Sequence, residues 1–449
     1  MKPRDLALST LNSLDHGPGF PERYLGRAFQ EDPHLSERDR AFSVHLVQGV
    51  LRWRLRLDWI IRKNVHFPFR KIEPSVLNIL RIALYQIFFM DRVPESAAVN
   101  EAVKQARDPG VSHVAGFVNG ILRQICRTRG EITYPDRHND LPKYLSVFYS
   151  YPRWLVEKWI RELGIGFVEP LLAAGNGPPV LVVRANSLKI DRMGLINRLE
   201  KEGVTGRPTT YSPEGIEIEG LKGRVDRLEA FREGLFQVQG EAAQVCGYLI
   251  SPGRGEHILD LCAGLGGKST HMARLMENNG RVLALDINHG RLVSLCESSR
   301  RLGIDCIDPV VADAREGLPS LFPHPFDSIL IDGPCTGLGV ISKNPDGKWA
   351  RDESDIERLS ILQRKILTGA ALLLRRGGKM LYVTCTISRE ENDGVVSDFL
   401  GQDKGMSLVN LKKHVPHWGL DLIDDEGFLR TFPHIHGMDG FFGAMFVKR

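Results

Sequence analysis

The feature that most constrains the fold is a series of short apolar runs in the second half of the chain, at 257–261, 281–285, 308–311, 327–331 and 378–383. Turn residues bound each run, and helical stretches separate one from the next. Runs that are apolar on both faces and alternate with helices predict a doubly wound, Rossmann-like α/β domain with a covered parallel sheet. Ligands of such sheets bind just beyond the carboxyl ends of the strands. Chemistry-bearing residues sit at those ends. The first run leads into Cys262-Ala263-Gly264-Leu265-Gly266-Gly267-Lys268, the fourth into Asp332-Gly333-Pro334-Cys335, and the fifth into Thr384-Cys385-Thr386. The last apolar run, Gly440 to Val447, reads as an edge strand closing the sheet.

Strand, glycine loop and helix in that order describe a site for a ligand with an anionic group, because glycines admit a close backbone approach and a helix N-terminus favours negative charge. A phosphate-binding P-loop requires glycine where this chain has Cys262, and a dinucleotide fingerprint requires Gly or Ala where it has Ser269. S-adenosylmethionine fits better. Its carboxylate can lie on the loop amides. Asp286, 20 positions after Gly266, stands where a ribose is recognised, and Asp313 after the third run is placed to accept from an adenine amino group.

The thiols at 335 and 385 suit a carbon acceptor. Carbon 5 of a pyrimidine is a poor nucleophile until a thiolate adds at carbon 6 and makes it enamine-like, which is covalent catalysis of methyl transfer. A carboxyl near N3 would relieve the charge that forms on the base, and Asp332 is the candidate acid. Cys126, Cys246, Cys296 and Cys306 read as ordinary buried hydrophobes. The seven cysteines are widely spaced with no CxxC pair, so reduced thiols are expected rather than a disulfide framework or a zinc ribbon. His434, His436 and Asp439 lack a Cys or His partner at ligand spacing, so no metal is expected and the segment reads as a loop near the substrate.

The rest of the chain divides into two further units. Residues 1–140 read as helical: Leu46, Val47, Val50 and Leu51 recur at helical spacing, as do Ile79, Ile82, Ala83 and Ile87 after Pro74, while Pro94 and Pro109-Gly110 punctuate the later helices. A polar stretch from Thr128 to Lys143 reads as a linker. Residues 144–234 mix helices with short β-like runs, a small α+β layer, and 235–449 form the catalytic unit. Net charge is +4, and residues 1–140 carry 21 Lys and Arg against 16 Asp and Glu. That excess is modest and points to a polyanion partner for the helical unit. The longest apolar stretch, Ile79 to Met90, is interrupted by Arg81 and Gln86 and is too short to span a bilayer, and the N-terminus lacks the apolar core of a signal peptide. A cytoplasmic protein is expected, with no membrane or DNA partner, acting as a monomer.

Taken together these motifs resemble the NOL1/NOP2/Sun family of RNA cytosine-5 methyltransferases, and within it the bacterial RsmB (Sun) branch. Asp332 to Val340 with Asn344-Pro345-Asp346 and Lys348-Trp349 is similar to the family's fourth motif, Thr384-Cys385-Thr386 with Glu390-Glu391-Asn392 to its sixth, and Phe432-Pro433-His434 to Phe442 to its C-terminal signature. The resemblance implies that Cys385 is the nucleophile, that Cys335 assists release, and that Cys262 to Lys268, Asp286, Asp313 and Asp332 hold S-adenosylmethionine. It implies 16S rRNA as substrate, at the cytosine the family knows as position 967. Leu46 to Arg52, Leu77 to Gln86, Val99 to Val103 and Gly116 to Arg123 resemble a NusB-like RNA-binding domain, and residues 144–234 the family's RNA-recognition-like layer. Arg52, Arg54, Arg56, Arg62 and Lys63 are candidate phosphate contacts. The chain departs from the family at Leu265, where proline is usual, at Gly240, where an acid is common, and at Gly333 and Thr336, which replace Ala and Ser. Two alternatives stay open on sequence alone: the same chemistry on tRNA or large-subunit rRNA, and a non-catalytic NusB-like RNA-binding protein.

Overall fold

A computed structural model describes residues 2–17, 19–107, 114–315 and 322–449. Pro109-Gly110 lies outside the described residues. The chain forms two compact units, Met1–Gly177 with Ile341–Ala350, and Pro178–Val340 with Arg351–Arg449.

The first unit is helical. Its long helix Glu37–Lys63 starts at Ser36, whose side chain accepts from the Asp39 amide, and buries Leu46, Val47, Val50 and Leu51 as the spacing predicts. Pro74 opens the next expected helix, Pro74–Phe89, where its missing N–H costs nothing. Pro94 caps Glu95–Gln105. The stretch 128–143 differs from the expected loose linker. Trp59 Nε1 donates to Thr133 O at 3.0 Å, Arg56 donates to the Tyr134 hydroxyl at 2.8 Å, and Asp140 caps the helix Leu141–Tyr149. Helices Leu141–Tyr149, Arg153–Leu163 and Ile165–Gly175 continue this unit.

Ile341–Ala350 belongs to this helical unit although it begins six residues after Cys335. Lys348 is fully buried and holds it there: Nζ donates to Arg52 O at 2.8 Å, Ser150 O at 2.9 Å and Asn176 Oδ1 at 3.0 Å, above the Tyr151 ring. Burial, and then Arg52, pull this amine below its ordinary value. Three acceptors opposing that shift are what an ammonium needs. Lys348→Met would leave three buried oxygens without a donor. We expect a loss of about 3 kcal/mol, a fall in melting temperature of roughly 6–12 °C for a unit of this size. An unchanged calorimetric melt would show that the segment is held some other way.

The second unit holds two sheets. Strands β1 (Leu181–Ala185), β2 (Thr205–Pro208), β3 (Gly215–Glu219) and β4 (Phe236–Val238) form an antiparallel sheet in the order β2-β3-β1-β4, covered by the helix Arg192–Lys201. The sequence pattern ends the small layer at residue 234, whereas Phe236–Val238 is hydrogen-bonded into its sheet. The large sheet comprises β5 (His257–Leu261), β6 (Arg281–Asp286), β7 (Ile307–Val311), β8 (Phe326–Asp332), β9 (Leu374–Thr384), β10 (Met406–Val409), β11 (Leu429–Arg430) and β12 (Phe442–Lys448), in the order β10-β12-β9-β8-β5-β6-β7 with β11 paired to β12. Strands β5 to β9 run parallel, as the apolar runs predict.

Alternate residues of these strands feed separate cores on the two faces. Leu259, Leu261, Ile329, Ile331 and Tyr382 enter one, and Ile258, Leu330, Leu381 and Val383 the other. The C-terminal strand corrects the expected edge position. β12 lies between β9 and β10, antiparallel to both, and Met406–Val409 is the edge. Sheet order switches at β5, flanked by β6 and β8, which opens a crevice at the carboxyl ends.

Candidate active site

The crevice is a cavity of about 680 Å³ lined by the glycine loop, Asp286, Asp313, Asp332, Cys335 and Cys385. The catalytic and cofactor residues drawn from the sequence therefore line one cavity, apart from the buried Gly266 of the loop. Cys262, Gly264 and Gly266 all have positive φ. Gly266 is the position where a side chain is least tolerable, because an added Cβ would lie 2.4 Å from Leu295 Cγ. A Cβ on Gly264 would meet only Cys262 O at 3.9 Å, so that face of the loop is open to a ligand. The loop amide of Gly264 donates to Asp286 Oδ2 at 2.9 Å, fixing this buried carboxylate at the end of β6. Arg315 pairs with Asp313 and holds its carboxyl below the usual range. Beneath the loop, burial pushes Asp260 up to about 7 while Ser269 Oγ donates to it at 2.5 Å.

The reacting groups meet above this cradle. Lys268 Nζ donates to Asp332 Oδ2 at 2.5 Å. Burial opposes the Lys268 charge, yet Asp332 and the neighbouring thiols outweigh it and the net shift is upward, so Lys268 holds its proton. The sulfurs of Cys335 and Cys385 are 3.3 Å apart. The hydrogen bond with Cys385, then burial, push the Cys335 thiol well above its ordinary range. Cys335 thus keeps its proton, with the other sulfur in reach.

A buried web locks the two cysteine loops together. Glu391 accepts from the Thr336 amide at 2.8 Å, the Thr336 hydroxyl at 2.5 Å and Gln363 Nε2 at 3.1 Å, and the hydroxyls of Thr336 and Thr386 are 2.8 Å apart. Gly339 N donates to Cys385 O at 2.9 Å. Gly339→Ala would put a Cβ 1.9 Å from Gly440 O and 2.8 Å from Cys385 O. The displacement of Cys385 that results is expected to cost about 100-fold in kcat, since misplacement near 1 Å has that effect. Single-turnover rates on a variant with unchanged circular dichroism test this. Glu391 and Thr336 stand within the sequence motifs, but their bracing of the cysteine loops is not expected from sequence. The available signal is their polar character beside reactive residues.

The expected phosphate contacts separate. Arg52 is buried and donates to Ser342 O, Arg54 pairs with Asp15, and Arg56 lies among the rings of Trp53, Phe89, Tyr134 and Phe148. These three are held by the fold. Arg62 and Lys63 are exposed, lying on Phe69 and Trp59. His436 Nδ1 accepts from the Phe432 amide at 2.9 Å, and its ring meets the edge of Tyr211. Among the described residues no helix is long and apolar enough to cross a membrane.

Residues 247–447 match the family model described as 16S rRNA methyltransferase RsmB/F, residues 1–127 the NusB family, and 151–223 the ferredoxin-like domain of RsmF/B-like methyltransferases. A Bacillus subtilis protein named probable ribosomal RNA small subunit methyltransferase B is 33% identical over 447 residues, 99% of this chain and 98% of its own. The chain belongs to the RsmB/F methyltransferase family. A ribosomal RNA small subunit methyltransferase B of Pectobacterium carotovorum is 33% identical over 92% of each chain. Among solved structures, PH0851 superposes with a TM-score of 0.82 at 28% identity, covering 100% of this chain and 99% of its own. NSun6 from Pyrococcus horikoshii, determined with SFG, reaches 0.59 at 27% identity, covering 67% and 99%. The NusB-like helical domain, the small α+β domain, which matches a ferredoxin-like model, and the methyltransferase domain expected from the sequence are therefore present, and the methyltransferase cofactor is S-adenosylmethionine. The open face above Gly264 and the carboxylates of Asp286 and Asp313 suit that cofactor's amino acid, ribose and adenine parts.

Proposed function

We propose that this methyltransferase modifies carbon 5 of a cytosine in 16S rRNA, through a covalent bond between Cys385 Sγ and carbon 6, at the cytosine known in the family as position 967. The observation that carries this reading is the pair of sulfurs 3.3 Å apart beside the Lys268–Asp332 pair, at one cavity mouth. Nitrogen methylation has no use for two thiols. A carbon acceptor needs one to add and benefits from a second when the first departs.

The target base must leave its stack to reach Cys385. The Cys385 thiolate adds to carbon 6, and the negative charge that moves onto the base is met by a proton that moves from Lys268 Nζ to Asp332 and from Asp332 to N3. S-adenosylmethionine, when bound, supplies an electrophilic methyl group to the enamine-like carbon 5. For release the carbon 5 C–H bond breaks and its proton passes to water. That electron pair restores the C5–C6 double bond, the C6–S bond breaks with its pair returning to Cys385, and N3 gives its proton back through Asp332 to Lys268. The S–H of Cys335 stabilises the departing sulfur. The exposed Arg62 and Lys63 of the NusB-like domain are phosphate contacts, which place the RNA without reading its sequence.

Bisulfite sequencing of 16S rRNA from cells with and without the gene tests the reading. One protected cytosine lost on deletion, and restored by wild type but not by Cys385→Ala, supports reaction, substrate and nucleophile together. An unchanged 16S pattern with a lost mark in tRNA or large-subunit rRNA overturns the substrate.

A further inference from the structure

A cation buried behind the cofactor loop takes no part in the chemistry described above. Arg184 lies on β1 of the small sheet and is only 3% exposed. Its guanidinium does not end on a carboxylate at hydrogen-bond distance. Nη1 donates to Gly267 O at 3.0 Å and to Gln239 Oε1, and Nη2 donates to Thr270 Oγ1 at 3.2 Å. Thr270 Oγ1 in turn donates to Gly266 O at 2.8 Å. Glu214, the carboxylate of this neighbourhood, is taken by Arg274. A cation has been desolvated to hold neutral acceptors, two of which, Gly267 and Gln239, line the cofactor cavity.

The consequence comes from peptide geometry. In a planar trans peptide the C=O and the following N–H point in opposite directions. Fixing the carbonyls of Gly266 and Gly267 from behind turns the N–H groups of Gly267 and Lys268 the other way, toward the N-terminal end of the helix Gly267–Leu275. Those first-turn donors have no partner within the helix and are the ones an anionic ligand group uses. Leu265, in the middle of this loop, is 61% exposed and gives it no packing support. Three of the loop's residues sit at positive φ.

We infer that Arg184 is a positioning residue for the methyl-donor site, through which the small ferredoxin-like sheet sets the affinity of the cofactor loop. The small sheet is then more than an RNA platform: it is a wall of the donor site. This rests on reading the loop as that site.

The test uses the full chain, with S-adenosylhomocysteine as probe in titration calorimetry and hydrogen–deuterium exchange of the unliganded protein over 262–275. Arg184→Lys keeps charge but cannot reach several acceptors at once. Thr270→Val removes the second tie without touching the arginine. Loss of a charged hydrogen bond to the loop should weaken probe binding by about 10–100-fold. Exchange over 262–275 should quicken, and the KM for RNA should stay within about twofold. Thr270→Ser, which keeps the hydroxyl, should restore binding. Unchanged probe affinity and exchange in both Arg184→Lys and Thr270→Val would overturn the inference and leave Arg184 as packing. Failure of the wild type to bind the probe would overturn the donor-site reading itself.

Discussion

Cys385→Ala is expected to lower turnover by at least about 10⁴-fold and to leave S-adenosylhomocysteine binding in place. The size reflects the contribution of covalent catalysis: without addition at carbon 6, carbon 5 has no electron pair to offer, and removal of a nucleophile in comparable enzymes costs that much or more. Cys385 rather than Cys335 as nucleophile follows from the family resemblance, and the state of Cys335 suits its other role. A nucleophile must be a thiolate. Cys335 is pushed well above the ordinary thiol range by its hydrogen bond with Cys385 and by burial, so at neutral pH it holds its proton. Cys385 is the other sulfur of that hydrogen bond, 3.3 Å away. The assay is methyl incorporation into unmodified 16S rRNA by the purified variant. Full activity in Cys385→Ala, with loss in Cys335→Ala, would reverse the two roles.

The features that sequence discloses, and those it withholds, divide by range. The parallel strands were legible because burial on both faces writes itself as a local apolar run, and the carboxyl-end residues Asp286, Asp332, Cys335 and Cys385 inherit their places from those runs. The order of strands is not local. The run ending in Val447 looks like any terminal strand, yet it enters between β9 and β10, and the true edge, Met406–Val409, is too short and too polar at Ser407 to announce itself. Side-chain partners are less local still. Arg52 reads as a solvated cation until Ser342, 290 positions away, accepts its hydrogen bond. Glu391 stands in a recognisable motif, but its three donors come from Thr336 and Gln363, and nothing within its own segment names them. Arg184 had no signal at all, since a lone arginine in a short strand reads as exposed.

Cys335→Ala is expected to separate the two halves of the reaction. In the proposed reaction, addition and methyl transfer use Cys385, the Lys268–Asp332 pair and the cofactor, and the substitution replaces none of these groups. The departing sulfur does lose the S–H donor that stood 3.3 Å away. A hydrogen bond to a charged group contributes about 1.5–3 kcal/mol, and more where water is excluded, so breakdown of the adduct should slow by at least about 10–100-fold and become rate-limiting. The enzyme then accumulates as a protein–RNA adduct that survives denaturing electrophoresis and carries one transferred methyl group per chain. The double variant Cys335→Ala with Cys385→Ala should form none. In the wild type, the proton that serves release belongs to a group raised well above the ordinary thiol value of 9.0. A raised value means the protonated form persists below it, so the release rate should hold level from neutral pH up through about pH 9 rather than fall across that interval. A falling rate there would mean that the proton serving release is lost within that interval, against the upward shift at Cys335, and a rising rate would mean that Cys335 acts as thiolate. Normal turnover of Cys335→Ala without adduct would remove it from the release step and leave the second sulfur with only a packing role.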